Sequence, residues 1–257
     1  MAARTMLRRD QVLISACVAL VTILAWAYLL RLDHQMSAGL QYDAMMAAMG
    51  MTVNRAWTGL DALLTFAMWS VMMVGMMAPS ALPMLLMFGS AQAGRSQKSV
   101  SPRTLTFGLG YIAVWTGFSA VATLAQYELH KAALLSPAMA SSSKTLTGAI
   151  LLATGAYQMT GWKARCLTQC RSPLGFLMTN WRDGVFGAFQ MGFRHGIFCL
   201  GCCWALMCLL FVVGIMNLIW IAVLTGVVLL EKIGPAGAIA ARIVGVAMVV
   251  LGVAVLV

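Results

Sequence analysis

The chain has 257 residues, of which 61% are hydrophobic and only 9% charged, and its mean hydropathy is +0.89. An average soluble domain carries about 25% charged residues, so this composition excludes a water-covered globule. The formal charge of +10 suggests an anionic partner. However, Lys and Arg sit in short clusters between apolar runs, the positive-inside pattern of a multi-pass membrane protein, and do not form the basic stripe of a nucleic-acid binder. The reading is one all-α transmembrane domain spanning residues 1–257. It is a bundle of about seven helices, or six, in a bacterial inner membrane with its N-terminus in the cytoplasm and the lipid bilayer as its first partner.

Arg4, Arg8 and Arg9 precede the first apolar run, Val12 to Leu30, which is read as a retained helix because Arg31, Leu32 and Asp33 follow it where a cleavage site would need small residues. The segment from Arg31 to Asp61 mixes Asp33, His34 and Asp43 with Met36, Met45, Met46, Met49 and Met51, and is expected to face the periplasm as an amphipathic surface stretch. Helix two, about Leu63 to Phe88, holds Pro79 and Pro83, each of which removes a backbone hydrogen bond and is expected to kink the span. Arg95, Lys98 and Arg103 place the next loop inside.

Helix three, about Leu105 to Gln126, leads to a periplasmic loop with Glu128, His130, Lys131 and Lys144. Helix four, about Leu146 to Gly161, ends at a basic cytoplasmic loop of Lys163, Arg165, Arg171 and Arg182. Gln190, Arg194 and His195 interrupt the apolar stretch that starts at Val185, so an amphipathic or half-inserted helix is expected before helix five, about Phe198 to Val213. Helix six, about Met216 to Leu230, ends at Glu231 and Lys232, read as an ion pair that snorkels to the interface. Gly234, Pro235 and Gly237 then break the chain before helix seven, about Ile239 to Val257.

The polar chemistry inside these runs is sulfur. His195, Cys199, Cys202 or Cys203, and Met207 repeat at helical i, i+3 and i+4 spacing and fall on one stripe. Thiolate and thioether donors select Cu(I), whereas Cys with His also suits zinc; copper is favoured. The plain alternative is packing, because free Cys is a small buried hydrophobe. Met72 and Met76 lie on one face of helix two with Met68, and Met73 and Met77 form a neighbouring row. Uncharged thioethers would pass a soft ion through lipid depth without the desolvation cost of a carboxylate, although Met is also an ordinary gap-filler. Cys166 and Cys170, one helical turn apart among cations that favour thiolate, read as a cytosolic metal docking point or a redox pair. The His34–Asp33 and His130–Glu128 pairs are candidates for a harder nitrogen and oxygen site. No phosphate-binding loop, dinucleotide fingerprint or nucleophile elbow occurs in the sequence.

The run Met73-Val-Gly-Met-Met-Ala-Pro-Ser-Ala-Leu-Pro-Met84, the run Cys199-Leu-Gly-Cys-Cys-Trp-Ala-Leu-Met207, Gly214 with Met216-Asn217-Leu218, and Glu231-Lys232 resemble the DUF2182 family of predicted metal-binding integral membrane proteins. Cys166 to Pro173 fits the same pattern. The resemblance implies a bacterial multi-pass protein with a metal site and supplies no reaction; the methionine-rich segment before helix two lies outside it. Three functions follow as expectations: a soft-metal transport, delivery or assembly protein; a copper- or thiol-dependent membrane enzyme or enzyme subunit; and a non-catalytic scaffold whose sulfur residues only pack. Expected partners are other membrane subunits or a metal chaperone, with no nucleic acid.

Overall fold

The computed structural model describes residues 8–49, 57–93, 102–132, 134 and 141–257; Arg4, Met51, Arg95 and Lys98, named above, lie outside them. The described residues are almost wholly helical: α1 Arg8–Ala48, α2 Gly59–Ala93, α3 Pro102–Lys131, α4 Lys144–Gln158, α5 Gly161–Arg171, α6 Pro173–Asn180, α7 Gly184–Cys208, α8 Leu210–Val213, α9 Leu218–Ile233 and α10 Gly237–Leu256.

Local sequence explains most of the starts. Thr58 and Asp61 close a reciprocal cap at the head of α2, with Asp61 accepting from the Thr58 amide (2.9 Å) and Thr58 Oγ1 accepting from the Asp61 amide (3.3 Å). Ser143, Thr160 and Asn217 cap α4, α5 and α9 through their side-chain oxygens. Gly214 turns the chain between α8 and α9 at φ 99°, a left-handed conformation that glycine adopts without strain.

Five helical stretches among the described residues are long and apolar enough to cross a bilayer: Arg8–Gly39, Gly59–Ala93, Pro102–Lys131, Gly184–Val213 and Gly237–Leu256. Every apolar run read from the sequence is a helix, but α4 and α9 have 15 and 16 residues. At 1.5 Å per residue they reach only about 22–24 Å, against a hydrocarbon core of about 30 Å. Two further expectations change. The polar segment after the first span is not a loop, since α1 continues to Ala48. The amphipathic helix before helix five is the first half of one continuous helix, α7, whose polar residues alternate between exposed Arg194 and buried His195. α2 is helical on both sides of Pro79 and Pro83.

α7 is the centre of the bundle. It packs most extensively on α3, and also on α5, α4 and α9. The α3–α7 contact is close because small residues face one another. A Cβ at Gly192 would strike the Phe107 carbonyl, and one at Gly110 would strike the Phe189 carbonyl, the small-residue approach typical of membrane helices. α1 and α10 are the outermost spans, with 17% of each window buried against 56% for α7. Their outward Leu, Ile and Val side chains form the surface that lipid covers.

Candidate metal centre

The core between α2, α7 and α9 is built from sulfur. Met68, Met72, Met73, Met76 and Met77 of α2 and Cys199, Cys202, Cys203 and Met207 of α7 belong to one packed cluster, with Cys166 and Cys170 of α5 packed against it. All seven cysteines are free thiols. On α7, His195, Cys199, Cys202, Cys203 and Met207 are all buried.

Within that core the thiols are ordered by short contacts. Cys202 and Cys203 Sγ donate to the Cys199 carbonyl at 3.1 and 2.9 Å, the back-bond a small polar side chain makes to the preceding helical turn. Cys199 Sγ lies 2.9 Å from the Tyr111 hydroxyl. Cys202 Sγ lies 3.9 Å from Cys170 Sγ, and the Cys166 side chain packs on the bare backbone of Gly201. The segment read as a basic loop is therefore a helix, α5, laid against α7 with both sulfurs turned inward. Burial holds the Cys166 thiol above its ordinary value, with the Cys202 sulfur adding to the shift. The Cys170 thiol is held well above, first by hydrogen bonding with Cys199 and Cys202 and then by burial.

His195 goes elsewhere. Its ring stacks on Tyr111 with centroids 5.8 Å apart and meets Phe176 edge-on at 5.3 Å, and its buried Nδ1 has no hydrogen-bond partner. Met72 and Met76 are fully buried two turns of α2 apart from Met68 at the farther end. Met68 and Met36 line a cavity of about 700 Å³ with Tyr28, Trp57, Asp61 and His130. His34 and Met45 are exposed on α1, and Met49 is exposed just beyond its end.

The residue the sequence reading misplaced is Lys232. It does not snorkel to water with Glu231. Its ammonium is buried and donates to Cys199 Sγ at 2.9 Å and Ser80 Oγ at 3.3 Å, with Met77 Sδ at 3.8 Å and Cys203 Sγ at 3.9 Å. Glu231 points the other way, into a buried ion pair with Lys163 at 2.6 Å, and accepts from Gln158 at 3.0 Å. A signal for this existed. Ile221, Thr225 and Val228 are buried on α9, and the same three-to-four-residue spacing continues to Lys232, so the lysine falls on the inward stripe. Tyr111 was missed as well, although Phe107, Tyr111 and Trp115 recur every fourth residue on the buried face of α3.

Among the described residues, no three His, Cys, Asp or Glu side chains form a preassembled metal cluster. The donor chemistry nonetheless fits a soft cation. Three sulfurs, from Cys199, Cys203 and Met77, already surround the monovalent ammonium of Lys232, and thiolate and thioether donors are those that select Cu(I). A family model of copper chaperones, PpoB2, matches residues 66–255, which takes in every span but the first and leaves the methionine-rich part of α1 outside. The expectation of a metal-related membrane family is met at the level of copper, while the DUF2182 label is not the one matched. No curated protein and no solved structure matches the chain significantly. The chain belongs to the PpoB2 copper chaperone family.

Proposed function

We propose that the protein is an inner-membrane chaperone that takes up Cu(I), holds it on the cysteines of α7 and delivers it to a partner, either a membrane subunit under assembly or a soluble metal carrier. The observation that carries this reading is the single sulfur core in which the methionines of α2 and the cysteines of α7 meet. Met68 lines the cavity at one end, and Met72, Met76 and Met77 follow over about 13 Å of helix to the thiols around Lys232. Cys202 and Cys170 then carry the series from α7 to α5. Ligands spaced in this way favour stepwise exchange from one sulfur group to the next. Metal binding displaces thiol protons, and the thiols of Cys166 and Cys170, held protonated by their surroundings, make α5 a release station in preference to a tight sink.

The test is copper content. The full chain, purified in detergent and loaded with Cu(I) without oxygen, should retain about one equivalent after desalting. The triple substitution Cys199→Ala, Cys202→Ala and Cys203→Ala should lose it while the protein stays monodisperse. Equal copper in the two proteins would remove the α7 cysteines from the function.

A further inference from the structure

A lysine ammonium buried inside a bundle of apolar helices is costly unless something there needs its charge. We infer that Lys232 is the charge-compensating residue of the sulfur centre and makes it selective for soft monovalent cations over soft divalent ones. This inference rests on the copper reading above. It concerns which charge the same site accepts.

The argument is a charge count in a low-dielectric place. Two thiols that bind a cation release their two protons to solvent and become thiolates. With a monovalent ion, M⁺, and two thiolates the complex carries −1, and the Lys232 ammonium, 2.9 Å from Cys199 Sγ and 3.9 Å from Cys203 Sγ, brings the total to zero. A divalent ion in the same ligands leaves +1 buried. The neighbouring carboxylate, Glu231, is turned away into its pair with Lys163, and the groups hydrogen-bonded to the ammonium among the described residues include no other. The remaining groups at the ammonium are neutral: the Ser80 hydroxyl at 3.3 Å and the Met77 thioether at 3.8 Å. Ser80 also gives the flexible lysine somewhere to shift when a metal takes its place between the sulfurs. Its hydroxyl lies on α2, where it donates to the Met77 carbonyl at 2.8 Å and keeps its lone pairs available.

The experiment compares Ag(I), a monovalent soft ion without redox chemistry, with Cd(II), a soft divalent ion, by competition titration on the full chain in detergent. The quantity read is the Ag(I)-to-Cd(II) affinity ratio of each variant relative to wild type, which cancels the intrinsic thiol preference of the two ions. Lys232→Met keeps length and removes the charge. Its ratio should fall by about 100-fold, the scale of one unit charge a few ångströms away at intermediate dielectric, and Lys232→Arg should restore most of the wild-type ratio. An unchanged ratio in a folded Lys232→Met protein overturns the inference, as does a rise in Ag(I) affinity, which would make the lysine a competitor for the site. Should Lys232→Met not fold, Lys232→Gln replaces it in the same titration. Failure of wild type to bind either ion would instead bring down the sulfur centre itself.

Discussion

Cysteine and methionine do two jobs at once in this core, filling volume and offering donors, and only substitutions that keep one while removing the other separate them. Met72 and Met76 are fully buried, so a shape-preserving change is required. Leu matches Met closely in volume and apolarity, and such swaps cost under about 1.5 kcal/mol. The double substitution Met72→Leu and Met76→Leu should therefore leave expression and the thermal transition in detergent nearly unchanged while reducing copper loading in cells. Unchanged loading would reduce the α2 ladder to packing. At this scale the sequence disclosed the sulfur positions, because their spacing alone puts them on one stripe, and concealed the lysine among them. A charge at the end of an apolar run is ordinarily interfacial; what turns Lys232 inward is the partner surface of α2 and α7, which lies far away in sequence.

Elements meet here through small residues, and the tightest contact is the one that positions the site. Gly192 of α7 sits on the Phe107 carbonyl and Gly196 abuts Val114 and the Tyr111 backbone, bringing Tyr111 to the thiol of Cys199 one turn further along. Gly192→Ala forces α3 and α7 apart, and overpacking of this kind costs about 1–3 kcal/mol. The variant should unfold at lower temperature in detergent and load less copper, because Tyr111 and Cys199 separate. Gly117→Ala on α3, where an added methyl meets nothing within 4 Å, is the control. It should be neutral or gain up to about 1 kcal/mol of helix propensity. Equal stability of the two variants would show the contact to be looser than its geometry. The existence of these helices was legible from apolar runs, but their extents were not. Polar residues such as Gln190 and Arg194 resemble a break until the helix turns Arg194 outward, leaving His195 to the aromatics of α3 and α6.

At the scale of the molecule the basic residues bear on how many helices cross. Five helical stretches suffice by length. If only these cross, then α4 and α9 stay on one side, and the stretch carrying Lys163, Arg165, Arg171 and Arg182 lies in the periplasm, against the positive-inside rule. The packing of α4 favours the other count. Gly148 abuts Leu256, Gly252 abuts Leu152, and Gly155 abuts Gly245 and Val249, so α4 runs antiparallel along α10, a helix long and apolar enough to span. A crossing by this 15-residue helix would need local thinning of the bilayer and flanking residues to cover its shortfall. Seven crossings would put the basic stretch and α5, with Cys166 and Cys170, on the cytoplasmic side, where a reducing environment keeps thiols free. A reporter fused after Arg171 should accordingly give a cytoplasmic signal and one fused after Met45 a periplasmic one. A periplasmic signal at Arg171 would leave α4 uncrossed, invert α7, and expose the thiols of α5 to oxidation, so the route of copper through the sulfur core would have to run the opposite way.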